Sequence, residues 1–222
     1  MPGAIKLKIK EGKYYGSDLK LEPRHAALLV IDLQNDFLHP DGVFARKGVL
    51  VEDLRKRILA VVKLSNLCRE AGIRIIHVRH SIDQDKTGRA VNAGLFVSTV
   101  RPWLLREGLR SGTWGSQMLS ELGTPDYEIE KHRLSGFFET SLESLLRNLN
   151  TTTLVFSGFS TNLCVEHTFR DAVIRDFWAI AVKEAMIAHE PQLQKASEKN
   201  MEIMGRCLSL SEIEAILGRS VV

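Results

Sequence analysis

The sequence predicts an α/β protein built as one domain on an open, parallel, six-stranded sheet with helices on both faces. Three observations carry this prediction. Strand-like and helix-like patterns alternate from residue 26 to the end. The main strand candidates are continuous apolar runs, as expected of strands covered on both faces. Several of them end on a chemically capable side chain, and their carboxyl ends share the sheet edge where such folds bind ligands.

The elements follow in order. Residues 1–24 are polar and alternating (KLKIKEGKYYG) and predict an arm with a short edge strand, leaving residues 25–222 as the domain. His25–Asp32 (HAALLVID) is an apolar run closed by an acid, the pattern of a central strand. Gln34–Gly48 is a loop turning at Pro40-Asp41-Gly42. A helix is predicted from Glu52 to Ala71, with Leu54, Ile58, Val61, Val62 and Cys68 on one face and Gly72 at its end. Gly72–His80 is the second strand. Ser81–Gly112 is long and irregular, which predicts added short elements or a segment covering a site.

Thr113 is a candidate N-cap for a helix through Leu122. Tyr127–Lys131 (YEIEK) is the third strand. Thr140 and Glu143 have capping-box spacing for a helix to Leu149. Thr152–Phe177 contains a β-branched strand, a turn starting at Gly158, and a helix with Val165, Phe169, Ala172 and Val173 on one face. Trp178–Glu184 is the fifth strand. Pro191 suits the first turn of a helix to Gly205. Cys207–Leu210 is the sixth strand. Ser211 and Glu214 are spaced as a capping box for a last helix ending at Leu217.

Composition excludes some functions. The chain has 222 residues, 44% hydrophobic, enough for a sizeable core. Its net charge of +3 is spread along the sequence and gives no reason to expect nucleic acid or a membrane as partner. Cys68, Cys164 and Cys207 are odd in number and far apart, which suggests a reducing compartment rather than a disulfide framework. The N-terminus has no apolar signal-peptide core, and no run is long enough to span a bilayer, so the expected location is the cytoplasm.

The chemistry centres on three strand ends. Asp32 follows the first strand, Lys131 ends the third, and Cys164 lies just after the fourth, in the first turn of a helix. That position, with its free N–H groups and positive dipole end, favours a thiolate and an adjacent oxyanion. Taken singly, an acid caps a turn, a lysine is solvated and a cysteine is a small buried hydrophobe. Together they make a nucleophile (Cys164), a base (Asp32) and a cation that holds both (Lys131). Backbone N–H groups of the 159–164 turn, those of Ser160 and Cys164 foremost, are candidates for an oxyanion hole. That machinery suits acyl transfer to cysteine from a small-molecule substrate, followed by hydrolysis.

Around this core several residues have two readings. His167 is either a neighbour of Cys164 or a helix-surface histidine. Trp114 is a pocket wall or a core anchor. Arg101, Arg106 and Arg110 are candidates for a substrate carboxylate, with solvated arginine as the plainer reading for each. Asn162 is a candidate cap for the nucleophile helix. Of Phe137 and Phe138, one belongs in the core and the other faces a pocket or interface.

The motifs ALLVIDLQNDF (27–37), EKHRLSGFFET (130–140) and FSGFSTNLCVEHTFRDA (156–172) resemble the isochorismatase-like cysteine hydrolases. The resemblance implies a Rossmann-like sheet and an Asp–Lys–Cys triad at Asp32, Lys131 and Cys164. It also implies a cis peptide at Phe159–Ser160 that aims the Ser160 and Cys164 N–H groups at the oxyanion. Phe37 matches a pocket-lining position, and Phe159 and His167, which lie in the same motifs, are further candidates for the substrate pocket. Homodimers or homotetramers are implied as well.

Departures narrow the expectation. Metal-dependent nicotinamidases of the family carry an Asp-x-His motif after the second strand. Here the segment reads HVRHSID, with Arg79 in the acid's place and His77 and His80 three apart, on opposite strand faces. No metal and no cofactor are therefore expected. The run from Ser111 and the motifs around Lys131 and Cys164 are most similar to the ureidoacrylate amidohydrolase and N-carbamoylsarcosine amidase branch. This favours a metal-independent amidohydrolase that releases ammonia. Vinyl-ether hydrolysis of the isochorismatase type, nicotinamide hydrolysis and a non-catalytic family member are the alternatives.

Overall fold

The computed structural model describes residues 5–7 and 19–218. Its centre is a six-stranded, wholly parallel sheet. The strands, in chain order, are β3 (Ala26–Ile31), β4 (Arg74–His80), β5 (Tyr127–Lys131), β6 (Thr153–Phe159), β7 (Trp178–Ile187) and β8 (Arg206–Leu208). They lie in the spatial order β5-β4-β3-β6-β7-β8. The chain thus winds outward from β3 in one direction, then returns to β6 and winds in the other. The point of reversal lies between β3 and β6, and ligands of doubly wound sheets bind at the carboxyl end of such a point.

Side chains alternate across β3. Ala26, Leu28 and Val30 face one core with α4 (Ile58–Glu70) and α9 (Leu210–Leu217). Ala27, Leu29 and Ile31 face the other, with α6 (Leu142–Asn148), α7 (Glu166–Ile174) and α8 (Pro191–Met204). All six β3 side chains are buried, which is why the run carries no polar residue until Asp32.

At the reversal point the backbones of β3 and β6 approach too closely for a side chain. Gly158 has φ +128°, and a Cβ there would lie 2.1 Å from the Ile31 carbonyl oxygen. The register of β6 against β7 shifts at the same place, from Phe156↔Ala181 to Gly158↔Met186. This bulge carries β7 beyond the expected end at Glu184 to Ile187. Arg57 donates to the Lys183 and Met186 carbonyls exposed by it (2.9 and 3.1 Å).

Several expectations need correction. The single helix over 52–71 is two, α3 (Val51–Arg55) and α4, broken at Lys56–Arg57, where Arg57 turns toward the β7 bulge. Gly72 does close α4, at φ +78°. The 34–48 loop holds two single-turn helices, α1 (Asn35–Leu38) and α2 (Val43–Arg46). Residues 113–122 form no helix beyond two 3₁₀ turns, because the intervening segment is drawn into a bridge between Met118 and Gln34. Thr140 caps nothing through a box: its hydroxyl donates to the Gly136 carbonyl, and Glu143 pairs with Arg147 and Arg175. The last capping box is Ser209/Glu212, two residues earlier than read, since α9 begins at Leu210.

The irregular 81–112 region contains the expected short elements, a helix α5 (Gly94–Val100) and a 3₁₀ turn (Pro102–Leu105). In place of an edge strand, β1 (Ile5–Leu7) pairs antiparallel with β2 (Leu19–Leu21) in a separate two-stranded sheet. The rest of the expected arm before β2 lies outside the described residues.

Candidate active site

The sheet brings Asp32, Lys131 and Cys164 together at the carboxyl edge. Asp32 leaves β3 at φ +52°, a left-handed turn that aspartate tolerates better than most residues. Its N–H donates to the Val78 carbonyl of β4 (2.8 Å). Lys131 ends β5 opposite His80. Its Nζ donates to Asp32 Oδ2 (2.8 Å) and to the Arg133 carbonyl (3.1 Å). Lys131 is 0% exposed and Asp32 1%. The second carboxylate oxygen, Oδ1, is also buried and accepts no hydrogen bond of ordinary length from the described protein groups.

Cys164 sits in a π-turn (Thr161–Val165) that opens directly into α7. The Phe159–Ser160 peptide is cis, as the resemblance implies. The Leu163 and Val165 N–H groups close onto the Ser160 carbonyl (3.0 and 3.3 Å), and the N–H groups of Ser160 and Cys164 take no part in those bonds. Asn162 does not cap the helix; its carbonyl oxygen accepts from the Ser160 hydroxyl (2.9 Å).

The electrostatics differ from the sequence expectation in one respect. Burial lifts the Asp32 carboxyl above its usual range, with Lys131 opposing, which makes Asp32 a better base than a solvated carboxylate. Burial works against the Lys131 ammonium, but Asp32 and then Cys164 outweigh it and hold the group above its ordinary value. The Cys164 thiol is pushed up to about 12, first by burial and then by the Asp32 charge. A resting thiolate at the helix N-terminus is therefore not what this site holds. The apolar surroundings favour the neutral thiol beside the Asp32–Lys131 ion pair.

A cavity of about 30 Å³ lies over the thiol. Its walls are Phe37, Phe96, Val97, Leu104, Leu109, Leu134, Phe159 and Leu163, with Asp32, His80, Arg101, Ser160 and Cys164 as the polar members. Phe96, Val97, Arg101 and Leu104 come from α5 and the turn after it, so the 94–105 segment is a cover. The space suits roughly two water molecules, so any organic substrate requires the cover to yield.

Phe37 and Phe159 take the wall positions expected of them, their ring centroids 5.4 Å apart. Trp114 does not: it is 47% exposed, outside the cavity, with its ring edge-on to His39 at 5.0 Å. Its 3₁₀ turn is anchored elsewhere, by Asn35 Nδ2 donating to the Trp114 carbonyl. His167 is on the exposed face of α7, bonded through Nδ1 to the Leu163 carbonyl (2.8 Å), one turn past the thiol but turned away. Phe137 is in the core and Phe138 is exposed.

Of the three arginines only Arg101 reaches the cavity. Its guanidinium lies 4.8 Å from the Phe44 ring centroid, and burial lowers its pKa from the ordinary value. Among the described residues no carboxylate pairs with it. Arg110 instead donates to the Leu105 carbonyl.

Sequence reasoning missed His80, which lines the cavity, and Gln34, which fixes it. Gln34 accepts from the His80 N–H (2.8 Å) and donates to the His80 and Ser116 carbonyls (2.7 Å each). The D-L-Q sequence after an apolar strand was the available signal, but nothing in one dimension shows what the glutamine holds. Asp83, Glu130 and His132 bring three potential metal-ligand atoms within 4.8 Å of one another. They line a different surface, and their carboxylates are already engaged by Ser81, Ser111, Asn92 and Arg79.

A doubly wound parallel sheet with an acid, a lysine and a cysteine gathered at its reversal point defines a class, the open-sheet α/β proteins whose sites lie at the carboxyl edge. The chain belongs to the isochorismatase family: the family's isochorismatase domain matches residues 26–212. It is 30% identical over 195 residues to the ureidoacrylate amidohydrolase RutB of Acinetobacter baylyi, covering 83% of this chain and 80% of that one. Among solved structures it is similar to a cysteine hydrolase from Pseudomonas syringae pv. phaseolicola (TM-score 0.75, 23% identity, 90% of this chain and 95% of that one). It is also similar to N-carbamoylsarcosine amidase from Thermoplasma acidophilum (TM-score 0.65, 25% identity, 83% and 96%).

Proposed function

We propose that the protein is a metal-independent cysteine amidohydrolase that cleaves the C–N bond of a small amide, carbamoyl or ureido substrate and releases ammonia. One observation carries this reading: a buried Asp32–Lys131 ion pair whose acid, with one carboxylate oxygen unpartnered among the described protein groups, lines the same apolar cavity as the Cys164 thiol. A thiol held at about 12 has no use for a charged resting state, but it has use for an adjacent base.

The steps balance as follows. Cys164 Sγ bonds to the substrate carbonyl carbon while Asp32 Oδ1 takes the thiol proton. The carbonyl oxygen becomes an oxyanion and turns to the Ser160 and Cys164 N–H groups. As the tetrahedral centre collapses, Asp32 returns the proton to the leaving nitrogen, and ammonia departs. Water then attacks the thioester (a thiocarbamate for a ureido substrate), again giving its proton to Asp32. Breaking the C–S bond restores the thiol and frees a carboxylic acid or a carbamate. Lys131 stays charged throughout and holds Asp32 in place.

Arg101 supports an acidic substrate. An unpaired guanidinium in the wall above the thiol fits a carboxylate carried beyond the scissile carbonyl. The names of the similar proteins, ureidoacrylate amidohydrolase and N-carbamoylsarcosine amidase, are in keeping with that choice. The test is a panel of ureidoacrylate, N-carbamoyl amino acids, biuret, nicotinamide and isochorismate, read by ammonia and by pyruvate. Ammonia from a ureido or carbamoyl acid, abolished in a folded Cys164→Ala variant, is the expected result. Pyruvate without ammonia, or a fully active Cys164→Ala, overturns the proposal.

A further inference from the structure

His80 stands in the cavity wall beside Asp32, and the steps above do not use it. It is 4% exposed, and its Nε2 is buried without a hydrogen-bond partner among the described protein atoms. Its ring does interact with the Arg133 carbonyl. The same carbonyl receives Lys131 Nζ (3.1 Å). Burial and the nearby Lys131 charge hold the ring well below its ordinary pKa, so it stays neutral in use. Gln34 grips its backbone from both sides, through the N–H and the carbonyl. The ring is thus a fixed, neutral imidazole in the cavity wall, with one lone pair to offer a donor.

An acceptor of this kind is satisfied by a ligand that brings a donor. We infer that His80 Nε2 accepts a hydrogen bond from the N–H of the substrate's amide or ureido group and so selects nitrogen-bearing over oxygen-bearing acyl substrates. The inference rests on the amidohydrolase reading. A primary amide or ureido NH₂ has two protons to donate, whereas the alkoxy oxygen of an ester has none. Held by His80, the nitrogen keeps its lone pair free to receive the proton that Asp32 returns. An ester in the same pose leaves Nε2 unpaired and gains nothing from it.

The experiment compares an amide substrate with its methyl ester in wild type, His80→Leu and His80→Gln. His77→Asn serves as the control, since His77 is the other β4 histidine with a buried, unpartnered Nε2 but lies outside the cavity. His80→Leu is expected to lose about ten- to a hundredfold in kcat/KM on the amide and to change little on the ester. His80→Gln, which keeps an acceptor oxygen, restores part of the amide activity. His77→Asn leaves the amide-to-ester ratio unchanged. Equal losses on both substrates in His80→Leu, or no loss on either, overturn the inference. If His80→Leu does not fold, His80→Ala takes its place, and an unchanged amide-to-ester ratio in that variant overturns the inference as well. Failure of the underlying reading shows separately: wild type then cleaves the ester but no amide, and both proposals fall together.

Discussion

Asp32→Asn separates two roles that a carboxylate beside a thiol can play. If Asp32 is the base, its loss removes proton transfer, and turnover should fall by about 10²–10⁴-fold. Its charge, however, is the second cause after burial of the raised thiol pKa, and Lys131 opposes it. With Asn at 32, that like charge is gone, and Lys131, which has lost its carboxylate partner at 2.8 Å, is left with the Cys164 sulfur as the group that favours its charged form. An opposite charge this close lowers a pKa by roughly one to three units. A thiolate of lower pKa is also intrinsically less nucleophilic, with a Brønsted slope near 0.5, so about half of the gain is given back. Alkylation of Cys164 by iodoacetamide at pH 8 should therefore rise by about 3–30-fold while ammonia release collapses. Cover opening affects wild type and variant alike and cancels in the ratio. Mass spectrometry of the alkylated peptide, with Cys68 and Cys207 as internal references, reads the result. If alkylation falls together with turnover, Asp32 serves to stabilise a thiolate, and the general-base mechanism is wrong.

Other outcomes follow from the same geometry. Lys131→Met leaves Asp32 buried without its cation and should cost about 3–5 kcal/mol where the acid is ionised. Because the folded-state Asp32 pKa then lies still further above the unfolded value of about 3.9, the deficit against wild type grows as pH rises from about 4. Urea titrations across pH check this, and the Asp32→Asn/Lys131→Met double variant should abolish the slope. Arg101→Met should raise KM for an acidic substrate by about 10–100-fold, with kcat and a neutral amide largely unaffected, as steady-state kinetics will show. Gly158→Ala places a methyl group 2.1 Å from the Ile31 carbonyl and should lose about 3 kcal/mol or more in chemical denaturation.

The central strands were the most legible part of the sequence because a run such as β3, buried on both faces, excludes polar residues until it ends; β5 (YEIEK) at the sheet edge is largely exposed and was legible only by its place in the alternation. Asp32, Lys131 and Cys164 were legible because sheet topology carries the ends of the strands to one edge. What escaped was tertiary. The 113–122 segment has helix-compatible residues, but its bridge to Gln34 and its two 3₁₀ turns outweigh local preference. The Thr140 and Ser211 boxes had the correct spacing at the wrong helix starts. Helix α5 begins at a glycine with φ +71° and exposes Leu95 and Val100, so it carries no clean amphipathic signature. His80 is invisible in one dimension because its part depends on which strand face meets the cavity, and on the Gln34 contacts that hold its backbone.

The near contact of Gly158 with Ile31 has a consequence for anyone who wishes to change what the enzyme accepts. The floor of the site is set by main chain packed against main chain, so a randomised library aimed there returns mostly unfolded protein. The roof is different. Residues 94–105 present only Phe96, Val97, Arg101 and Leu104 to the thiol, while Leu95 and Val100 on the same segment already face solvent. Diversity introduced at those four inward positions leaves Asp32, Lys131 and Cys164 untouched, and directed evolution of this scaffold belongs there.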